Sequence, residues 1–257
     1  MVNITSVSDK REIGINSFFS KVGFYISLLK PRVMSLSIFT SFVGMIIAPG
    51  FITIYEGALI ILAISIGSGA SGALNMWYER KTDLLMERTK DRVLPKGLIS
   101  SNGALIFGIT LSVFSIYLLY YVANLLSASI LLVTILYYIF VYTVWLKKRT
   151  PQNIVIGGAA GAFPPIIGWT AVTGSISPEI SLLFILIFLW TPPHFWALAL
   201  YKSDDYKKAG IPMMPLVVGN KKTVSLIIAY SLTLLPVTLL MSYYYSLFFG
   251  TLSSIMG

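Results

Sequence analysis

The chain has no cysteine, a single histidine and only ten acidic residues among 257. The missing thiols exclude disulfides, thiolate metal sites and a cysteine nucleophile. Charged residues of both signs make up 11%, against roughly 25% in a soluble domain. The first 30 residues carry Lys10, Arg11, Lys21 and Lys30 but no small-residue cleavage pattern. A cleavable signal peptide is therefore not expected. Nor do these residues have the Arg-rich, acid-poor look of an organelle transit peptide.

Apolar residues fill the space that charge leaves. They make up 56% of the chain, and the mean hydropathy is +0.81. Seven runs are long enough to cross a bilayer, at about 20 residues each: 33–49, 57–77, 103–123, 125–146, 154–173, 180–201 and 223–249. The expected fold is all-α, a polytopic helical bundle around a central cavity. Residues 17–30 are amphipathic and end at Pro31, which reads as an interfacial helix. The expected division is a surface segment over 1–32 and a membrane domain over 33–257.

Charge placement sets the orientation. All nineteen Lys and Arg fall within 10–32, 80–96, 147–149 and 202–222. The connections on the other side, near 50–56, 124–127 and 174–179, have none. The positive-inside rule then puts the N-terminus and the three basic loops in the cytoplasm of a multi-pass cell-membrane protein. A net charge of +9 split over four segments, without a recognisable binding module, does not point to nucleic acid.

The acidic residues are not spread evenly. Asn75, Glu79, Asp83, Glu87 and Asp91 recur at every fourth position where the second apolar run ends. Residues four apart share a helix face, with a drift of about 40° per step. Asn75, Glu79 and Asp83 therefore form one face, while Glu87 and Asp91 drift off it. A helix built for stability alone would alternate signs at that interval, because like charges there repel. Mg²⁺ takes one or two carboxylates, some waters and substrate phosphate oxygens, and this trio suits it. Arg80, Lys81, Arg88, Lys90 and Arg92 are placed to clamp phosphate charge.

Three further features stand out. Asp204 and Asp205, followed by Lys207 and Lys208, form a second acid-bearing loop beside Lys202. It offers a second metal position, with either Asp as ligand, or a tie back to the Arg residues of the first loop. Lys147, Lys148 and Arg149 suit an anionic ligand or a plain topology signal. His194 lies inside the sixth run between Pro193 and Phe195. It reads equally as an iron ligand or acceptor contact and as a packing residue. The glycines of runs 2 and 5 read as close helix packing.

The run Asn75-x3-Glu79-x3-Asp83-x2-Met86-x-Arg88-Thr89-x2-Arg92-x2-Pro95 resembles the first acidic motif of the UbiA-type intramembrane prenyltransferases. Further stretches are similar to the protohaem IX farnesyltransferase branch: Leu29-Lys30-Pro31-Arg32, Tyr142-Thr143 leading to Asn153 and Gly157-Gly158, Trp190-Thr-Pro-Pro-His194-Phe-Trp196, and Ile211-Pro212-Met213-Met214-Pro215. The resemblance implies that Mg²⁺ and the first motif hold farnesyl diphosphate. Ionisation then gives an allylic cation that the 2-vinyl group of haem B attacks, and water completes haem O for terminal oxidases. It implies catalytic roles for Asn75, Glu79 and Asp83. Arg80, Lys81, Arg88, Arg92, Lys147, Lys148 and Lys202 would serve the diphosphate, and Asp204 or Asp205 a metal. A haem A synthase or an oxidase-assembly protein is an implied partner.

Glu79 departs from the Asp that the family commonly carries. The family usually has nine spans where seven are read here, so either two helices lie beyond this chain or this member is unusual. Rival readings are a UbiA-type enzyme with a quinone-precursor acceptor and a transporter that uses the acids for ion coupling.

Overall fold

The computed structural model describes residues 19–244, and every regular element among them is helical. The first element, α1, runs over Phe19–Leu28, and α2 over Pro31–Ile46. The segment read as an interfacial helix is helical over α1, apart from residues 17 and 18, which fall outside the described residues together with Lys10 and Arg11. A proline disfavours the right-handed helical conformation in the residue before it. Lys30 accordingly takes a left-handed conformation, φ 52° and ψ 61°. It is the only non-glycine residue with positive φ among those described. The pair α1 and α2 is bent by 57° at this point.

The first span differs from the run read at 33–49. Its helix stops at Ile46, because Pro49 cannot continue the ladder and Gly50 follows at φ 151°. At 16 residues α2 is about 24 Å long, short of the roughly 30 Å hydrocarbon core. Only with α1 does it reach crossing length, and the bent pair is the seventh candidate span.

The other six spans match the expected runs. Helix α3 covers Ile54–Asp83, and a capping box between Thr53 and Glu56 starts it. Helix α4 covers Ser101–Val122, capped by the Ser100 hydroxyl. Helix α5 covers Leu125–Leu136, capped by Asn124, and continues as a π-helix over Tyr137–Leu146. The short α6 (Asn153–Gly157) and α7 (Ala159–Thr173) together form one span. Helix α8 covers Pro178–Tyr201. Two short helices, α9 (Ser203–Lys208) and α10 (Met214–Val218), lead to α11 (Asn220–Tyr244). The last residues of the run read at 223–249 lie outside the described residues.

Glycine decides how closely these helices meet. A Cβ on Gly44 would stand 2.1 Å from the Pro165 carbonyl oxygen, and one on Gly168 would stand 2.0 Å from that of Ser41. Helices α2 and α7 therefore cross with their backbones in contact. A Cβ on Gly157 would sit 2.2 Å from the Tyr142 ring. Gly161, by contrast, has nothing within 4 Å of such a Cβ, and it lines a chamber. The close-packing reading thus fits Gly157 and not Gly161.

That chamber is a half-open space lined by α2, α3, α5 and α7, with Lys30 and Tyr138. Its inner wall includes Ile64, Leu131, Ile135 and Ile167, which also belong to a deeply buried apolar cluster. Its other end reaches Lys30, Gly72 and Tyr138.

Candidate functional site

Three ligand-type residues of α3 stand at that end. Asn75, Glu79 and Asp83 are 1%, 6% and 0% exposed, which is costly for polar groups unless each is paired. Each is paired, and each partner comes from a different segment. Lys30 Nζ, between α1 and α2, donates to Asn75 Oδ1 at 2.5 Å. Lys147, at the end of the π-helix, forms an ion pair with Glu79. Arg92 Nη1 donates to Asp83 Oδ2 at 2.8 Å. Lys30 also lines the chamber, so it links the polar cluster to the apolar space.

The π-helix shapes this face. A π-helix bonds from residue i to i+5, and Lys147 N–H donates to the Tyr142 carbonyl at 2.9 Å. The segment presents Tyr138 to the chamber and Thr143 to Asn75 of α3. Thr143 accepts a hydrogen bond from Asn75 Nδ2 at 3.0 Å. The extra width of the turn is filled by the Tyr142 ring, stacked on Tyr138 at 5.5 Å against Gly157. In the turn beyond it, Asn153 Nδ2 donates to the Thr150 carbonyl at 2.6 Å and steadies the segment that carries Lys147.

The donor set fits a hard divalent cation. It comprises one amide oxygen and two carboxylates, all oxygen ligands of the kind Mg²⁺ takes. Asp83 Oδ1 is buried without a hydrogen-bond partner, an open acceptor of the kind that calls for an explanation. The remaining backbone of that turn is held by Thr89, whose hydroxyl donates to the Asp83 carbonyl at 2.8 Å.

The other expected residues divide. Arg80 bonds the Trp77 carbonyl at 2.6 Å and lies over the Trp77 ring, so it turns along its own helix and not toward the acids. Lys81 and Arg88 are exposed. Lys148 is exposed, and its Nζ donates to Thr82 Oγ1 at 2.6 Å, beside the cluster. Glu87 pairs with Lys90 and holds that ammonium above the usual lysine range. Lys96 beside Asp91, at 2.9 Å, holds its carboxyl below the usual carboxylate range. Both pairs are exposed, as the drift off the ligand face implies.

Asp204 is exposed and Asp205 half-buried on α9, and Lys202 is exposed just before it. The two acid-bearing loops are joined by apolar contact: Met86 of the first packs with Ala199, Ala209, Ile211 and Met213 around the second. Asp205 lies within electrostatic reach of Lys90. Among the described residues, however, no three acid or histidine side chains converge as a metal-ready group. His194 is exposed. Its ring stacks on Trp190 at 4.3 Å and meets Phe195 edge-on at 5.3 Å.

Residues 37–257 match the UbiA prenyltransferase family. Among curated proteins, the chain is 59% identical over 213 residues to the protoheme IX farnesyltransferase of Pelagibacter ubique, covering 83% of this chain and 70% of that protein. It is 55% identical over 237 residues to protoheme IX farnesyltransferase 2 of Mesorhizobium japonicum, covering 92% and 74%. Among solved structures, the fold is similar to a UbiA homolog from Archaeoglobus fulgidus bound to DMAPP and Mg²⁺. The TM-score is 0.73 at 17% identity, covering 90% of this chain and 82% of that one. A digeranylgeranylglyceryl phosphate synthase structure gives a TM-score of 0.72 at 20% identity, covering 88% and 78%. With identities this high across most of its length, this multi-pass membrane chain belongs to the UbiA prenyltransferase family, in its protohaem IX farnesyltransferase branch.

Proposed function

We propose that the chain transfers the farnesyl group of farnesyl diphosphate to the 2-vinyl group of haem B, giving haem O. One observation carries this reading. Asn75, Glu79 and Asp83, each held by a base from another segment, stand at the head of an apolar chamber. A diphosphate needs the first, and an isoprenoid chain needs the second.

In the reaction the allylic C1–O bond breaks and its electron pair leaves with the diphosphate. The vinyl π pair of haem B forms the new C–C bond. Water adds to the cation that results and loses a proton, leaving a hydroxyl. Mg²⁺, when bound, supplies Lewis-acid stabilisation of the leaving diphosphate. Asn75, Glu79 and Asp83 would hold it, and Asp204 or Asp205 would serve a second ion. Lys30, Lys147 and Arg92 present N–H groups at the same spot, where they bind diphosphate oxygens as charge builds on them. Lys148, Lys202 and Arg88 extend this positive field outward. The chamber walls keep water from the cation until the acceptor has reacted.

The basic loops at this end face the cytoplasm of the cell membrane in our reading, as their Lys and Arg content favours. The test is incubation of membranes that carry the protein with farnesyl diphosphate, Mg²⁺ and haem B, followed by mass spectrometry. Haem O should form, and Glu79→Gln or Asp83→Asn should abolish it. Prenylation of an aromatic acid with haem left untouched would overturn the reading.

A further inference from the structure

Asn75 has an amide, not a carboxylate, so it matters which end faces the site. Only its Oδ1 can ligate a cation; its NH₂ group would repel one. The two ends differ in what they touch. Oδ1 accepts from Lys30 Nζ, and an ammonium has donors only. Nδ2 donates to Thr143 Oγ1 at 3.0 Å. The Thr143 hydroxyl has one proton, and it gives that proton to the Tyr138 carbonyl at 2.8 Å. That carbonyl is five residues back, where an ordinary helix would offer the one three or four back. The π-helical winding therefore uses up the only proton of Thr143. Its lone pairs can meet nothing but a donor, and the donor is Asn75 Nδ2. Thr143 is 2% exposed and Asn75 1%, so bulk water does not compete.

We propose that Thr143 is a positioning residue: its hydroxyl, polarised by the π-helix, locks the Asn75 amide with Oδ1 turned into the site. Lys30 Nζ meets that same oxygen. The proposal rests on the diphosphate-site reading above and adds to it the cause of the amide's orientation.

The test compares Thr143→Val and Thr143→Ser in the full chain. Removing a group that orients a metal ligand typically costs about 10–100-fold in metal affinity. Thr143→Val keeps the shape and removes the acceptor. It should weaken Mn²⁺ binding in the presence of inorganic diphosphate, read by electron paramagnetic resonance, by about that factor. The Mg²⁺ concentration for half-maximal activity should rise in parallel, while kcat at saturating Mg²⁺ stays within a few-fold. Thr143→Ser keeps the hydroxyl and should bind Mn²⁺ like the parent.

Asn75→Asp provides a second route if the valine variant folds poorly. A carboxylate presents oxygen whichever way it turns, so in that background Thr143→Ala should cost no further Mn²⁺ affinity. Parent-like Mn²⁺ binding in Thr143→Val, equal loss in Thr143→Ser, or full additivity with Asn75→Asp each overturns the proposal. A parent protein that binds no Mn²⁺ with diphosphate overturns the functional reading as well.

Discussion

Replacing Arg92 by methionine isolates a buried charge. Asp83 is fully buried; its Oδ2 takes the Arg92 guanidinium at 2.8 Å, and its Oδ1 takes nothing. Arg92→Met keeps much of the side-chain volume and leaves both carboxylate oxygens without a partner. Breaking one side of a buried pair costs about 3–5 kcal/mol. The Arg92 side chain is 26% exposed, so water screens part of the interaction and the lower end, about 3 kcal/mol, applies. The double variant Asp83→Asn with Arg92→Met buries no unpaired charge and should recover most of the loss, giving a coupling of about 2 kcal/mol. The assay is unfolding in detergent with a chelator present. Adding Mg²⁺ with inorganic diphosphate at about 100 times its dissociation constant should return about 2.7 kcal/mol to the single variant. A single variant within 1 kcal/mol of the parent, or a double variant as unstable as the single one, would refute the reasoning.

Three other outcomes follow from the same structure. Ile64 lies eleven residues before Asn75 on α3, about 16 Å along the axis, and lines the chamber where it meets the buried core. Ile64→Ala should shift the kcat/KM ratio toward geranylgeranyl over farnesyl diphosphate by roughly 10–200-fold; an unchanged ratio places the floor elsewhere. Gly157→Ala drives a methyl into the Tyr142 ring, which can swing away, whereas Gly168→Ala drives one into the Ser41 carbonyl, which is backbone. Melting should therefore show about 1–3 kcal/mol of destabilisation for the first and a larger loss for the second; the reverse order would contradict the rigid α2–α7 contact. His194→Ala should leave Mg²⁺-dependent release of diphosphate near the parent rate, since His194 meets aromatic rings and not the acid cluster. A changed haem absorption spectrum in that variant would assign His194 to the acceptor; an unchanged one leaves it to packing.

The sequence showed some of this architecture and concealed the rest for definable reasons. Spans announce themselves through hydropathy, because lipid demands long apolar runs. The ligand face of α3 was readable because four-residue spacing and a helix share one geometry. The bases that hold those ligands were harder to find. Lys30 lies 45 positions from Asn75 and Lys147 comes from another helix, and no local rule links them. Lys30 and Thr143 fell inside stretches that carry the family resemblance, which was the only available signal. Arg80 and Lys81 looked attractive because they adjoin Glu79, yet successive residues point about 100° apart on a helix: Arg80 turns along α3 to Trp77 and Lys81 is exposed. The π-helix was invisible because pattern reading assumes 3.6 residues per turn, and only the packing of Tyr142 on Gly157 shows why the chain widens there. The bend at Lys30 was half legible: Pro31 marked a stop, but not that the same residue would reach into the site.

The length of α3 bears on where the products go. From Ile54 to Asn75 the helix rises about 32 Å, close to the full depth of the apolar layer, which in our reading brings the ligand face to the level where hydrocarbon gives way to water. Diphosphate released there can diffuse straight into solution. The prenylated product has gained fifteen carbons, each worth about 0.8 kcal/mol in favour of lipid, and partitions into the bilayer. Two products parted between two phases seldom meet again, and that separation disfavours reversal of the turnover.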